Sequence, residues 1–398
     1  MVKLPDNVLK HGITRNIMRE TFEYGNKRKA EIGAENVYDF SLGNPSVAPP
    51  KEVNDTIREI LAGELSDSIH AYTSAQGAPD NRARLAASLE KRFGGKISPD
   101  DLYFTVGAAA ALTVTFKALT MPDDEFVLLA PFFSEYEVFL ENAGAKAVIC
   151  PPDYETFMPD FDALDKCITA KTKGLVINSP NNPSGVVYTE EVIIKIAELL
   201  SAKSAEFGHP IFLVTDEPYR EIVFDGGKAP WVPSFYPDTI VCYSYSKSLS
   251  IPGERIGYIF VPQSVTDHDN IYASVCGAGR MLGFVNSPSL FQKVASLCDG
   301  LTADMSVYER NRDLLYNSLV EMGFDCIRPG GTFYLLMKSP IPDATTFCLD
   351  ARKYDLLIVP TDSFRCPGYI RIAFCVETET IERSLKAFEA LAKDYKLK

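Results

Sequence analysis

Residues 244–258 read SYSKSLSIPGERIGY, and they lead from the apolar run TIVCY into a second apolar run, IGYIFV. Lys247 lies between serines directly after the first run, and Arg255 follows eight residues later, just before the second. Apolar runs of this length, rich in β-branched and aromatic residues, predict buried strands. Because a lysine is costly to bury, an amine at the end of a buried strand indicates a functional group.

The pattern continues on both sides of this stretch, where short apolar runs alternate with helix-like segments. The helix-like pattern at 189–205 has a threonine cap and glutamates in its first turn. Continuous apolar strands separated by helices predict an α/β fold with a mostly parallel sheet covered on both faces. The predicted strands are 126–130, 147–150, 174–178, 211–215, 240–244 and 256–261.

The two ends of the chain differ from this middle part and predict a second, smaller α+β domain. We assign residues 46–289 to the large domain. Residues 1–45 form an N-terminal arm and part of the small domain, which residues 290–398 complete. We find no internal repeat and no long linker.

Composition excludes several classes of protein. The net charge of −13 argues against nucleic-acid binding. No apolar run approaches the roughly 20 residues that span a bilayer, and the first residues lack the apolar core of a signal peptide. Nine scattered cysteines without a C-x-x-C pair, and only four histidines, speak against a metal site or a disulfide framework. We therefore expect a cytoplasmic protein.

Polar side chains follow three of the predicted strands. The strand GLVIN leads to Asn182, IFLVT leads to Asp216 and Tyr219, and TIVCY leads to Lys247. Ligands of parallel α/β sheets bind at the carboxyl ends of the strands. The sequence therefore predicts one site that contains an amide, an acid, a phenol and an amine.

The order of these motifs resembles that of the class I/II aminotransferases, pyridoxal phosphate (PLP) enzymes with the aspartate aminotransferase fold (fold type I). The resemblance extends from Leu42 to Arg371. Its motifs are Asn-Pro-x-Gly from Asn182, Asp-x-x-Tyr from Asp216, Ser-x-Ser-Lys from Ser244, Arg255 and Arg371.

This resemblance implies roles around the PLP ring. Lys247 would bond covalently to the cofactor and later move the substrate's α-proton. Asp216 would pair with the pyridine nitrogen, and Asn182 and Tyr219 would donate hydrogen bonds to the ring oxygen. Phe133 would stack on the ring. Each residue also has a plainer interpretation. Lys247 would be a surface lysine, Asp216 a turn cap, Asn182 part of an Asn-Pro turn, and Phe133 a core residue.

The cofactor phosphate would be bound by donors from two segments. One contributes two hydroxyls and a guanidinium, from Ser244, Ser246 and Arg255. In the other, Gly107 opens a helix whose free N–H groups, near Ala108 and Ala109, would face the anion. Tyr72 matches a tyrosine that reaches the phosphate of the neighbouring subunit, which implies a homodimer with shared active sites.

Substrate contacts follow from the same resemblance. Arg371 would grip the α-carboxylate as a fork, with Gly43 and Asn182 beside it. A dicarboxylic substrate needs a second cation, for which Arg280 is the candidate. An exposed helix arginine is the alternative reading of Arg280.

We therefore expect a PLP-dependent aminotransferase that moves an amino group between an amino acid, with aspartate or glutamate favoured, and a 2-oxo acid by a ping-pong mechanism. A PLP-dependent C–S β-lyase or decarboxylase is the alternative, because one fold hosts both chemistries. A PLP-binding regulator is disfavoured, because regulators of this superfamily carry an additional N-terminal DNA-binding domain and only about 40 residues precede the first motif. The stretch GAGRMLG at 277–283 departs from the dinucleotide fingerprint, so we expect no nicotinamide cofactor.

Overall fold

The computed structural model describes residues 2–13, 17–63 and 67–397. In these ranges the helices are α1 (Asp6–Ile13), α2 (Ile17–Ile32), α3 (Lys51–Ala62), α4 (Pro79–Phe93), α5 (Ala108–Leu119), α6 (Glu135–Ala143), α7 (Phe161–Cys167), α8 (Glu190–Phe207), α9 (Tyr245–Ser248), α10 (His268–Met281), α11 (Ser289–Cys298), α12 (Met305–Glu321), α13 (Ala344–Ala351) and α14 (Thr378–Asp394). The strands are β1 (Tyr38–Asp39), β2 (Leu102–Thr105), β3 (Glu125–Leu129), β4 (Lys146–Cys150), β5 (Thr172–Asn178), β6 (Phe212–Asp216), β7 (Thr239–Ser244), β8 (Gly257–Phe260), β9 (Cys326–Ile327), β10 (Tyr334–Lys338), β11 (Leu356–Leu357), β12 (Val359–Pro360) and β13 (Tyr369–Ala373).

The largest sheet is mostly parallel, as the sequence predicts. Its strand order is β2-β8-β7-β6-β5-β3-β4, and only β8 runs antiparallel to its neighbours. All six predicted strands are present. Strand β2 was not predicted, because its four residues, LYFT, are too few to give a periodic pattern.

Helices cover both faces of this sheet, which explains why its central strands are largely apolar. Along β5, Val176 packs into the cluster that contains α5 and α10, whereas Leu175 and Ile177 pack into the cluster that contains α8. Every residue of β6 and β7 is buried. A polar side chain at the end of such a strand is therefore carried by a rigid, dry scaffold.

Local signals set the ends of α8 close to the predicted range. The side chain of Thr189 accepts a hydrogen bond from the backbone N–H of Val192 (3.4 Å), as a helix cap does. At the other end Gly208 adopts a left-handed conformation, and its N–H donates to Ser204 O. The segment 277–283 lies in and just after α10 rather than at a strand–helix turn, as the dinucleotide fingerprint would require.

A smaller four-stranded antiparallel sheet, in the order β12-β13-β10-β9, packs with α12 and α14. The N-terminal segment joins this unit, because β1 pairs in parallel with β11 and the N–H of Ala373 donates to Phe40 O. Helix α11 packs instead on α3 and α4 beside the large sheet. The division at residues 45 and 290 stays a prediction. No helix in the described ranges is long and apolar enough to cross a membrane.

Candidate active site

A cavity of about 1200 Å³ lies at the carboxyl ends of β5, β6 and β7. The large sheet contributes Asn178, Asp216 and the turn with Lys247 to its wall, and the smaller unit contributes Tyr334 and Arg371. The structure therefore brings residues from three strand ends together with residues far away in the sequence.

Lys247 lies on α9, the one-turn helix that follows β7. Its Nζ donates to the carbonyl oxygen of Gly43 (2.6 Å) and lies 5.4 Å from the ring centroid of Phe333. Burial, together with the positive charges of Arg371 and Arg255, lowers the pKa of Lys247 to about 8. An amine that loses its proton this readily can act as a nucleophile and a base.

Asp216 is buried at the end of β6, and its two carboxylate oxygens differ. Oδ2 accepts a hydrogen bond from the hydroxyl of Tyr136, whereas Oδ1 is buried without a hydrogen-bond partner in the described ranges. Burial raises the pKa of Asp216 to about 7, against the lowering effect of the Tyr136 hydrogen bond. The unpaired oxygen is an acceptor suited to a cationic N–H group.

The amide motif and the late arginine are joined directly. Arg371 Nη1 donates to Asn182 Oδ1 (3.2 Å), and Nη2 donates to Ser41 O (2.6 Å). Asn178 holds this loop in place, since its Oδ1 accepts from the backbone N–H of Asn182 (2.8 Å) and its Nδ2 donates to Asp216 O (2.8 Å). Arg371 is 2% exposed and its Nε has no partner in the described part of the chain. A buried guanidinium with an unused donor fits a carboxylate ligand.

Two phenols meet above this arginine. The hydroxyls of Tyr219 and Tyr334 lie 3.1 Å apart, and the Arg371 guanidinium lies 4.6 Å from the ring centroid of Tyr334. Gly43 leaves space for this arrangement, because a Cβ there would lie 1.8 Å from the Tyr334 hydroxyl oxygen. Position 43 must therefore be glycine for Tyr334 to reach the cavity.

A set of anion-binding groups also lines the cavity. The hydroxyls of Ser244 and Ser246 are 2.7 Å apart, and Arg255 Nη1 lies 3.4 Å from Ser246 Oγ. Gly107 precedes α5 with φ +88°, and a Cβ there would lie 2.6 Å from Arg255 Nη2. Ala108 and Ala109, at the start of α5, line the same space. Hydroxyls, a guanidinium and a helix N-terminus together fit a phosphate.

The remaining predicted residues differ in location. Phe133 lines the cavity, with its ring 5.9 Å from that of Tyr136 in an edge-on contact. Tyr72 is 93% exposed, and Arg280 is exposed at the end of α10. Neither lines the cavity of this chain. Both roles require a second subunit, so both stay predictions.

Sequence reasoning missed three residues that position the site. Asn178 is the last residue of a buried strand, and a polar side chain there was a usable signal. Tyr136 and Tyr334 lie in the stretches EYEVF and FYLLM, which contain no local mark of function. No group of three or more metal-ligating side chains is found within the described ranges.

A buried ion pair lies behind the turn that carries Lys247. Arg220 Nε donates to Glu217, directly after Asp216, and the guanidinium lies 4.8 Å from the ring of Trp231 and 4.5 Å from that of Tyr243. The Tyr243 hydroxyl in turn lies 2.9 Å from Ser248 Oγ, next to Lys247. The ion pair therefore supports both strand ends from which Asp216 and Lys247 extend.

Comparison with known proteins decides the family. A family model described as aminotransferase class I and II matches residues 35–388. The chain belongs to this aminotransferase family. The aminotransferase is 30% identical over 357 residues to a probable aspartate/prephenate aminotransferase of Thermus aquaticus, which covers 88% of this chain and 90% of the relative. It is 28% identical over 382 residues to the aspartate aminotransferase of Thermotoga maritima, with 93% and 95% covered.

A solved structure agrees with these relatives. An amino transferase from Eubacterium rectale is 52% identical, with a TM-score of 0.97 over 99% of this chain and all of that one. Like its family, the aminotransferase is PLP-dependent. Its residues fit the cofactor, because the unpaired Asp216 oxygen suits a pyridinium N–H and the anion-binding groups suit a phosphate. Lys247 lines the same cavity as both features, and among the described residues it is the one lysine there that could react with the aldehyde.

Proposed function

We propose that this aminotransferase transfers the amino group of aspartate or glutamate to a 2-oxo acid. The observation that carries the proposal is that Lys247, Asp216 and Arg371 line one cavity. The aspartate preference is supported by the Thermus and Thermotoga relatives, whose names specify aspartate. None of the relatives described above is named as a lyase or a decarboxylase.

Each residue of the cavity has a part in the proposed reaction. Bound PLP supplies a ring that accepts electrons from the substrate's Cα. Asp216 keeps the ring nitrogen protonated through Oδ1, while Asn182 and Tyr219 donate to the ring oxygen. Lys247 would hold the cofactor through Nζ, and the same nitrogen would take the α-proton of the substrate and pass it on. Its lowered pKa supports this use as a base.

The other contacts hold the reactants in place. Arg371 binds the α-carboxylate through its guanidinium, next to Gly43 and Asn182. The phosphate is held by Ser244, Ser246, Arg255 and the N–H groups after Gly107, and Phe133 stacks on the ring. In this arrangement proton transfer is assigned to Lys247.

A homodimer with shared sites is part of the proposal. Thr73, next to Tyr72, accepts hydrogen bonds from Asn286 (3.2 Å), so the Tyr72 loop adjoins the loop that follows Arg280. Tyr72, Met281 and Val285 are exposed at 93%, 75% and 57%, and apolar side chains exposed together in one region are typical of an interaction surface. A cytoplasmic location is also proposed, and the nine free cysteine thiols support it.

The substrate proposal is tested with a stopped-flow absorbance screen of twenty amino acids against the PLP-loaded enzyme. We expect aspartate and glutamate to convert the cofactor fastest. Arg280→Ala should lower the ratio of kcat/KM for aspartate to that for alanine at least about tenfold, since one charge-assisted fork supplies a few kcal/mol. Arg58→Ala, which removes another exposed helix arginine, is the control. An unchanged ratio would remove Arg280 from the substrate pocket.

The assembly is tested separately by sedimentation of the active enzyme. We expect a dimer. One variant is Lys247→Ala. The other combines Tyr72→Phe with a second damaging change that affects the same partner site that Tyr72 serves. Mixing the two should restore part of the activity, because some hybrid dimers then hold one intact site. A strictly monomeric active species would contradict shared sites.

A further inference from the structure

Tyr334, the first residue of β10, contacts three parts of the site at once. Its hydroxyl lies 3.1 Å from that of Tyr219, its ring packs against the Arg371 guanidinium, and its tip fills the space that Gly43 leaves open. Tyr334 is 3% exposed. The residue belongs to the smaller unit, whereas Tyr219 follows β6 of the large sheet.

The number of protons on the two phenols restricts how they can pair. Each hydroxyl has one proton to donate and lone pairs to accept. If Tyr219 gives its proton to the ring oxygen of the cofactor, it can only accept from a neighbour. Among the described residues, Tyr334 provides the hydroxyl within hydrogen-bond distance of Tyr219.

We propose that Tyr334 is a positioning residue that donates its hydroxyl proton to Tyr219 and so fixes Tyr219 as a donor toward the cofactor ring oxygen. This inference rests on the proposed function, in which Tyr219 serves that oxygen. A donor that itself accepts a hydrogen bond donates more strongly, because hydrogen bonds in a chain polarise one another.

The surroundings hold the Tyr334 hydroxyl in this position. The two rings meet edge to face, with centroids 5.8 Å apart and planes at 80°. Arg371 on one side and the backbone at Gly43 on the other restrict movement of the Tyr334 ring. Burial raises the pKa of Tyr334, so the phenol keeps its proton at neutral pH, although the positive charge of Arg371 opposes this effect.

The experiment is a pH titration of the visible absorbance of the PLP-loaded enzyme, for the wild type, Tyr334→Phe, Tyr219→Phe and the double variant. Weaker donation to the ring oxygen leaves the Lys247 nitrogen protonated to a higher pH, because the oxygen then attracts that proton more strongly. We expect Tyr334→Phe to raise the midpoint by roughly half a pH unit, and Tyr219→Phe to raise it more. The double variant should match Tyr219→Phe alone, because Tyr334 acts through Tyr219.

Tyr236→Phe is the matched control. It removes another buried tyrosine hydroxyl, which donates to Ile211 O (2.8 Å) far from the cavity. It should lower the melting temperature of the cofactor-free protein and leave the midpoint unchanged. A further readout is the melting temperature of cofactor-free Tyr334→Phe, which reports any loss of fold independently of the cofactor.

Three outcomes would overturn the inference. The first is an unchanged midpoint in Tyr334→Phe, and the second is an unchanged midpoint in Tyr219→Phe. The third is a midpoint shift in the double variant that equals the sum of the two single shifts. A wild type that gains no visible band with PLP would instead contradict the proposed function, and the inference with it. The two failures are therefore distinguishable.

Discussion

Asp216→Asn should have opposite effects on the protein without and with its cofactor. Burial raises the pKa of Asp216 from its ordinary value of 3.8 to about 7. At 1.36 kcal/mol per pH unit, the charged carboxylate then costs up to about 4 kcal/mol of folding free energy above pH 7. The site therefore contains a charge that the cofactor-free fold does not stabilise.

The sign follows from proton binding. Between pH 4 and pH 7 the folded protein holds the Asp216 proton while the unfolded chain has lost it, so stability falls as the pH rises. Asparagine cannot lose this proton. A buried amide N–H group without a partner lowers the free energy of unfolding by about 1–3 kcal/mol, but this cost is the same at every pH.

The assay is urea unfolding of the cofactor-free protein, followed by circular dichroism at one fixed protein concentration, because a dimer's stability depends on concentration. Between pH 5 and pH 8 the stability of Asp216→Asn should rise relative to the wild type by about 3 kcal/mol. Adding PLP should reverse the order at pH 8, since only the carboxylate pairs with a protonated ring nitrogen. A stability difference that stays constant from pH 5 to pH 8 would refute the reasoning.

The neighbouring acid provides a control of opposite sign. Glu217 is buried as well, but it pairs with Arg220 and accepts from Thr215 Oγ1 (2.9 Å). Glu217→Gln leaves the arginine buried without its partner, which should destabilise the cofactor-free protein by about 3–5 kcal/mol. Burial raises the pKa of both acids, but only Glu217 has a cationic partner, Arg220, that opposes this effect.

Three further changes test other parts of the site. Lys247→Ala should abolish the visible band formed with PLP, and borohydride reduction with peptide mapping should label Lys247 in the wild type; label on another lysine would contradict the assignment. Gly107→Ala should weaken PLP binding, because its Cβ would lie 2.6 Å from Arg255 Nη2, whereas Gly208→Ala, also at positive φ but with no atom within 4 Å, should lower stability only. Equal PLP dissociation constants for both variants would exclude the steric explanation. Arg371→Lys should raise KM for both substrates at least about tenfold while PLP binding stays the same, because a point charge replaces a fork; an unchanged KM would remove Arg371 from the carboxylate site.

The sequence predicts the large sheet and the strand-end residues because both depend on local patterns. An apolar strand followed at once by a polar side chain is visible in ten residues, and this pattern led to Asn182, Asp216 and Lys247. The late Arg371 came from the family resemblance, since its own strand, YIRIA, looks like an ordinary one.

The tyrosines that complete the site could not be found in this way. Tyr136 and Tyr334 contact Asp216 and Tyr219 across 80 and 115 residues of sequence, and only tertiary packing brings their hydroxyls there. Local patterns could not identify Tyr72 and Arg280 either, because the partners predicted for them belong to another subunit. Both residues came from the family resemblance.

The pairing of β1 with β11 has a consequence for the order in which a ribosome-bound chain can fold. All strands of the large sheet have emerged by residue 260, whereas Tyr38 has no partner until Leu356 is made. We expect the large sheet to form first, since domains generally fold as units as they emerge. Residues 17–45 would then lack their partner strand through most of synthesis. Gly43, whose carbonyl accepts from Lys247, belongs to that segment. The site would then be completed last, and pulse proteolysis of stalled chains should find the N-terminal segment cleavable until the final strands are released.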